Sequence, residues 1–517
     1  MSQLSPDPIS TANGGSAALR DKADAGYSSG LKTRHMRMIA IGGSIGTGLF
    51  LGAGGRLGQG GPALALVYLI CGVFAFLMAR ALGEMAVYRP SSGAFVSYAR
   101  EFQGEKGAYI TGWFFFLDWC TTVMADISAA ALYFHYWSPF EGVPQWVIAL
   151  IVLIAIFALN IMAVKFFGEF EFWFAMIKVA AIVIFMLVTL FYIVTGSKVG
   201  DQTAGFTVIT SHGGFFPNGV APMFTLALGV VFAFGGTEMI GVAAGEAKDA
   251  AKVMPKAVNS MIWRICLFYI GSVVLMTMVL PWTAYSSTES PFVTFFSRIG
   301  VPHAGDIMNL VVITAVLSSL NGGLYATGRT LRSMAVAGEA PKVAAYLNKN
   351  KVPSHGIMIT AGLGLIGVLI NYIWPSHAFE IVMNLAGIGI AVTWISIMVS
   401  HLIFVRKARQ GALQRPKYRL PGSPVVEIVT IAFLLAIIVG TGFQSIDGRW
   451  TILGFVFFSL LLVAGWFAIR HKIDTSLLDT MFDENIEASL DATAARAVAG
   501  RLDHPNDDPS SDQGPPK

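Results

Sequence analysis

Two runs of small residues interrupt apolar stretches that would otherwise read as continuous helix. Gly42-Gly43-Ser44-Ile45-Gly46-Thr47-Gly48 places four glycines in seven residues, and Phe232-Ala233-Phe234-Gly235-Gly236-Thr237-Glu238 ends on an acid. Each glycine weakens a helix interior by about 0.5–1 kcal/mol, so both runs are expected to unwind. An unwound point leaves free N–H groups on the outgoing half-helix and free C=O groups on the incoming one. The N–H end, with roughly half a positive charge, suits a carboxylate; the C=O end suits an ammonium or a cation. A zwitterion, that is a free amino acid, fits between two such breaks. Close packing of small residues is the other use of one such run. Two of them five spans apart form the pattern of an inverted repeat around a midplane binding site.

Charges inside apolar stretches are costly and mark ion or substrate paths. Five stand out: Glu84, Asp118, Asp126, Lys178 and Glu238. Asp118 and Asp126 are eight apart, close to two helical turns, and share a face at different depths. Arg80 and Glu84, four apart, read as a structural pair. Glu169 and Glu171 read as acids at a helix start. Lys178 has no acid beside it in sequence; a buried lysine loses its proton readily, which makes it a candidate coupling group, with a paired structural lysine as the alternative.

Gly42-x-Ser44-x-Gly46 also matches the pattern of a hydrolase nucleophile, but that motif needs a strand-to-helix turn and a His/Asp partner. Here it lies in an apolar span, and no histidine lies in the middle of any span. No GxxxxGK[ST] phosphate loop occurs. No metal, cofactor or catalytic constellation is visible. Cys71, Cys120 and Cys266 read as small buried hydrophobes.

These residues need a membrane to position them. Of 517 residues, 55% are hydrophobic and only 13% charged, against roughly 25% charged in an average soluble domain. Such a chain cannot clothe a soluble globule, which excludes a soluble enzyme or nucleic-acid binder. A span needs about 20 apolar residues, and twelve segments qualify: about 36–58, 62–88, 108–134, 145–164, 168–195, 218–246, 257–282, 304–331, 355–374, 378–405, 425–443 and 450–470. Residues 1–30 and 471–517 are polar and read as disordered tails around a domain of residues 31–470. Lys and Arg concentrate in alternate loops, from Arg34 and Arg37 through Lys165 to the run Arg406 to Arg419; the opposite loops hold only Arg56, Lys198, Arg298 and Arg449. That bias predicts both termini on the cytoplasmic side. The expected fold is an all-α polytopic membrane protein of twelve transmembrane helices. Helices 1 and 6 are broken, and a 5+5 inverted repeat is followed by two C-terminal helices.

Met38 to Gly54 (MIAIGGSIGTGLFLGAG), Arg80 to Glu84, Tyr88 to Gly93, Gly168 to Phe174, Phe232 to Glu246 (FAFGGTEMIGVAAGE) and Ser318 to Pro341 resemble the amino acid transporter branch of the amino acid–polyamine–organocation superfamily, over roughly residues 30–470. Within it, Arg89 to Phe102 and the Phe134-His135-Tyr136-Trp137 run are similar to bacterial L-asparagine permeases. The resemblance implies the leucine-transporter-type fold in the cytoplasmic (inner) membrane. It implies that the Thr47 and Gly48 amides take the substrate carboxylate, and that the carbonyls of Ser44, Phe232 and Gly235 take its ammonium. Lys178 matches a lysine that stands in for sodium in proton-coupled relatives, and Glu238 an acid tied to coupling or gating. Side-chain recognition falls to spans 3, 6, 8 and 10, with Asp118, Thr122, Asp126 and Asn321 as candidates.

The expected activity is proton symport of L-asparagine, with an amino acid, a proton and the bilayer as the only partners. Aspartate, glutamine, GABA and aromatic amino acids are alternative cargoes for the same fold. A non-transporting receptor is the alternative from another class; such a receptor usually carries a long structured extension, and both tails here are short and polar.

Overall fold

A computed structural model describes residues 45–91, 94–162, 164–241, 250–443 and 446–473. Ser44, the first half of the Gly42–Gly48 run, the predicted N-terminal tail and residues 474–517 of the C-terminal one lie outside these residues. The chain begins with α1 (Thr47–Phe50) and α2 (Gly52–Gly60), then α3 (Leu64–Tyr88), α4 (Ala94–Gln103), α5 (Glu105–Phe134), α6 (Ser138–Glu141), α7 (Gln145–Met162) and α8 (Val164–Thr195). A two-residue hairpin pairs β1 (Lys198–Val199) with β2 (Gln202–Thr203). It leads to α9 (Thr207–Ser211), α10 (Ala221–Ala233), α11 (Ala250–Arg264), a π-helical stretch Ile265–Gly271, α12 (Ser272–Val279) and α13 (Pro291–Phe296). Last come α14 (Ala304–Val336), α15 (Ser354–Ile373), α16 (Ala378–Arg409), α17 (Val425–Thr441) and α18 (Ile446–Ile469).

Among the described residues, nine helical stretches are long and apolar enough to cross a membrane, and Ala221–Ala233 and Val425–Thr441 are shorter apolar helices. The two short ones fall on predicted spans 6 and 11. Gly52–Tyr88 runs as one apolar stretch through predicted spans 1 and 2, because only a 3-10 turn, Gly61–Ala63, separates α2 from α3. Helices suit this composition because backbone polar groups in lipid must bond within their own segment.

Burial sorts the helices into layers. The apolar window of α5 is 89% buried and that of α18 only 6%, so α5 is central and α18 peripheral. Helix α5 packs against both α16 and α14, and α10 packs against α3 and α16.

Several sequence expectations change here. Arg56 is a buried residue of α2, not an outer-loop charge; it donates to the Gly52 carbonyl at 2.5 Å and approaches Glu380 of α16 at 3.7 Å. Cys71 and Cys120 are buried, but Cys266 is exposed. Arg80 does not pair with Glu84. It donates to the Arg419 carbonyl at 3.0 Å and lies 3.8 Å over the Tyr418 ring. Glu84 instead accepts from Arg415 at 2.7 and 2.9 Å and from the Leu420 N–H at 2.6 Å. Its Oε2 also lies 3.0 Å from His401 Nε2, and His401 Nδ1 lies 2.9 Å from Glu427. A segment far away in sequence brings in the arginine, so spacing on one helix could not name it.

Candidate functional site

The break in the sixth predicted span is real: α10 stops at Ala233, and Phe234–Glu238 forms turns before helix resumes. Gly236 has φ +84°, a left-handed conformation that a β-carbon disfavours. The turn is held by Glu238, whose carboxylate accepts the Gly236 N–H at 3.0 Å and the Trp394 indole N–H at 3.2 Å. In the first predicted span, Gly46 is extended (φ −132°, ψ −158°) and caps α1. The Leu49 and Phe50 amides both return to the Gly46 carbonyl. Among the described residues the Thr47 and Gly48 N–H groups have no backbone acceptor, as the opening turn of a helix requires.

The second break meets the start of α1. A β-carbon on Gly48 would lie 2.6 Å from Ala233 Cα, so only glycine permits this approach. Beside the contact is a cavity of about 380 Å³, counting its open mouth, lined by Gly46, Thr47 and Gly48 of the first break. Phe232, Ala233, Gly235 and Gly236 line it from the second, with Asp118, Trp119 and Thr122 of α5, Ser319 of α14 and Ile390 of α16. The Phe232 carbonyl accepts the Gly235 N–H at 2.9 Å and keeps a second lone pair. The Gly235 carbonyl has no donor among the described residues. One wall therefore offers amides and the other carbonyls, the arrangement a zwitterion requires.

Of the sequence candidates, Thr47, Gly48, Asp118, Thr122, Phe232 and Gly235 line the cavity. Asp126, Asn321, Lys178 and Glu238 do not. Asp126 is fully buried and accepts a hydrogen bond from the Thr47 hydroxyl, so it sits one residue behind the wall. Asn321 faces Asn160 of α7, which donates to its carbonyl at 2.9 Å and its side-chain oxygen at 2.7 Å. This pair ties α7 to α14 and keeps Asn321 off the cavity.

Lys178 is not alone. Its Nζ donates to Ser318 Oγ at 3.0 Å, and Ser318 donates to Glu171 Oε1 at 2.8 Å. Lys178 and Glu171 are 1% and 4% exposed, so the whole chain of groups is sealed from solvent. Glu171 is not at a helix start, because α8 already begins at Val164. It lies two turns before Lys178 on the same face. Ser318 and Ser319 are neighbours on α14, one facing the lysine and the other the cavity. Ser318, Ser319 and Trp119 were not among the sequence candidates, and Glu171 was read only as an acid at a helix start.

The amino acid permease family profile matches residues 35–478. The chain belongs to the amino acid permease family. It is 57% identical over 453 residues to the L-asparagine permease of Streptomyces coelicolor, covering 88% of this chain and 93% of that one. The L-asparagine permease of Escherichia coli is 52% identical over 450 residues, 87% of this chain and 90% of the relative. L-asparagine permease 2 of Mycobacterium tuberculosis is 49% identical over 452 residues, 87% and 93%. The protein is thus a multi-pass membrane permease that takes up an amino acid, a transporter and not an enzyme.

Proposed function

We propose that this permease takes up L-asparagine by proton symport across the cytoplasmic membrane, by alternating access. The observation that carries the substrate is the meeting of the second break with the start of α1 around a cavity whose α5 wall presents Asp118. The Thr47 and Gly48 amides hold the carboxylate, and the Phe232 and Gly235 carbonyls the ammonium. Asp118 accepts from the side-chain NH₂. The names of the similar permeases support asparagine over aspartate, glutamine, GABA or aromatic cargoes.

Lys178 supports the choice of proton: it is buried and linked through Ser318 to Glu171. An ammonium at that depth needs a counter-charge, and losing its proton to one side of the membrane changes what the site can hold. Glu238 acts by holding the second break in shape. Twelve spans with both termini cytoplasmic, spans 1–5 and 6–10 forming the inverted repeat, complete the reading.

Isothermal titration of the purified protein with each amino acid tests the substrate. L-asparagine should bind tightest, with L-aspartate at least about fivefold weaker at pH 7. Tighter binding of aspartate or an aromatic amino acid would reassign the cargo.

A further inference from the structure

A carboxamide presents an NH₂ donor and a carbonyl acceptor side by side, so a site that reads it needs one acceptor and one donor. Asp118 supplies the acceptor. Two of the hydroxyls on the cavity wall are already committed: that of Thr122 points to Asp118 Oδ1 at 3.4 Å, and that of Thr47 is given to Asp126. Asn321 is off the cavity and held by Asn160.

Trp119 is different. It lines the cavity next to Asp118, and its indole N–H is buried with no acceptor among the described residues. Buried indole N–H groups normally find a partner. Gly323 of α14 lies against the benzo edge of the ring: a β-carbon there would be 3.3 Å from Cε3. The N–H lies on the other edge of the ring. An indole nitrogen is a donor only, so it can serve a carbonyl oxygen but not an NH₂ group.

We propose that Trp119 is the specificity residue for the side-chain carbonyl oxygen of the substrate, its Nε1–H donating to that oxygen while Asp118 accepts from the adjoining NH₂. The assignment rests on the cavity being an asparagine site and names the half of the recognition that the acids cannot provide. It also predicts a preference against substrates with an aliphatic tip, which would leave the indole N–H buried and unpaired.

Binding of L-asparagine and L-alanine to the full-length protein and to Trp119→Phe tests it. The variant keeps an aromatic ring and removes the N–H. The asparagine-to-alanine affinity ratio should fall about tenfold or more, because only asparagine loses a hydrogen bond. A ratio that stays put, whether both affinities drop or neither does, assigns Trp119 to packing and overturns the proposal. Should the variant not fold, the indole ¹⁵N–¹H spectrum of the unaltered protein decides. Saturating L-asparagine should shift one indole resonance that L-alanine leaves in place, and no such shift rejects the assignment. An unaltered protein that binds alanine but not asparagine overturns the asparagine reading itself, and Trp119's role with it.

Discussion

Lys178 and Glu171, two helical turns apart on α8, share one hydroxyl: Ser318 accepts from the lysine at 3.0 Å and donates to the carboxylate at 2.8 Å. The next residue on α14, Ser319, lines the cavity. The candidate coupling group and the candidate substrate site are thus separated by one step along a single helix.

Lys178→Gln should abolish gradient-driven accumulation while exchange of substrate across the membrane survives. Glu171→Gln should weaken accumulation too, since it removes the carboxylate that balances the lysine. Uptake and counterflow in proteoliposomes separate the two activities. Wild-type accumulation with unchanged proton dependence in Lys178→Gln would make the lysine structural.

Gly48→Ala should lose substrate binding, whereas Gly72→Ala should be milder. The added carbon at Gly48 would meet the Ala233 backbone at 2.6 Å, and at Gly72 it would meet an Ile265 methyl at 2.7 Å, the movable end of a side chain. Overpacking of this kind costs about 1–3 kcal/mol, and only at Gly48 is it directed at the wall that holds the carboxylate. Equal losses of binding at both positions would mean that both glycines serve packing alone.

Aspartate brings a second negative charge toward Asp118 in a poorly screened site, a penalty on the order of 1–3 kcal/mol, or roughly 5–150-fold. Asp118→Asn should narrow the preference for asparagine over aspartate; Asp126→Asn should change it less, because Asp126 lies behind Thr47. Competition assays at pH 7 give the ratio directly. A larger effect at Asp126 would place the wrong carboxylate at the substrate.

Glu84→Ala should lower the stability of the whole transporter, by about 3–5 kcal/mol, the usual result of removing one side of a buried ion pair. The carboxylate is fully buried and holds Arg415, Leu420 and His401 at once. Thermal unfolding in detergent reads this loss. An unfolding midpoint equal to wild type would show that the 415–420 segment is held by other contacts.

Glu339, just past the end of α14, offers a pH signature. Burial pushes its carboxyl up to about 7, ahead of the opposing pull of Arg100 at 2.6 Å. Since that value lies above the ordinary glutamate value of about 4.3, the folded state binds the proton more tightly than the unfolded chain. The stability it contributes is full below about pH 4 and is lost as pH rises through 7. The unfolding midpoint should therefore fall between pH 5 and 8, and Glu339→Gln should flatten that slope. An identical slope in the variant would assign the dependence elsewhere.

The break in the sixth span and the extended Gly46 at the start of α1 were legible in the sequence because glycine clusters in apolar runs have a direct backbone consequence. Asp118 was legible as a charge inside an apolar span, and Thr122 only through the family resemblance. Depth was not: Asp126 shares the face of Asp118 but meets Thr47 instead of the cavity, and Asn321 turns to Asn160. Glu171 was misread because the start of α8 precedes it by two turns. Trp119 had no signal of its own, since adjacent helical residues point about 100° apart and one tryptophan in an aromatic-rich span is unremarked. Arg415 reaches Glu84 across 331 positions, a contact that helical spacing does not encode.

The most direct test is uptake of labelled L-asparagine into proteoliposomes of the purified protein, with and without an imposed proton gradient and with each unlabelled amino acid as competitor. Accumulation above equilibrium should require the gradient, collapse with a protonophore, and be competed best by L-asparagine itself. Equal uptake with and without the gradient, or stronger competition by another amino acid, would contradict proton-coupled asparagine transport.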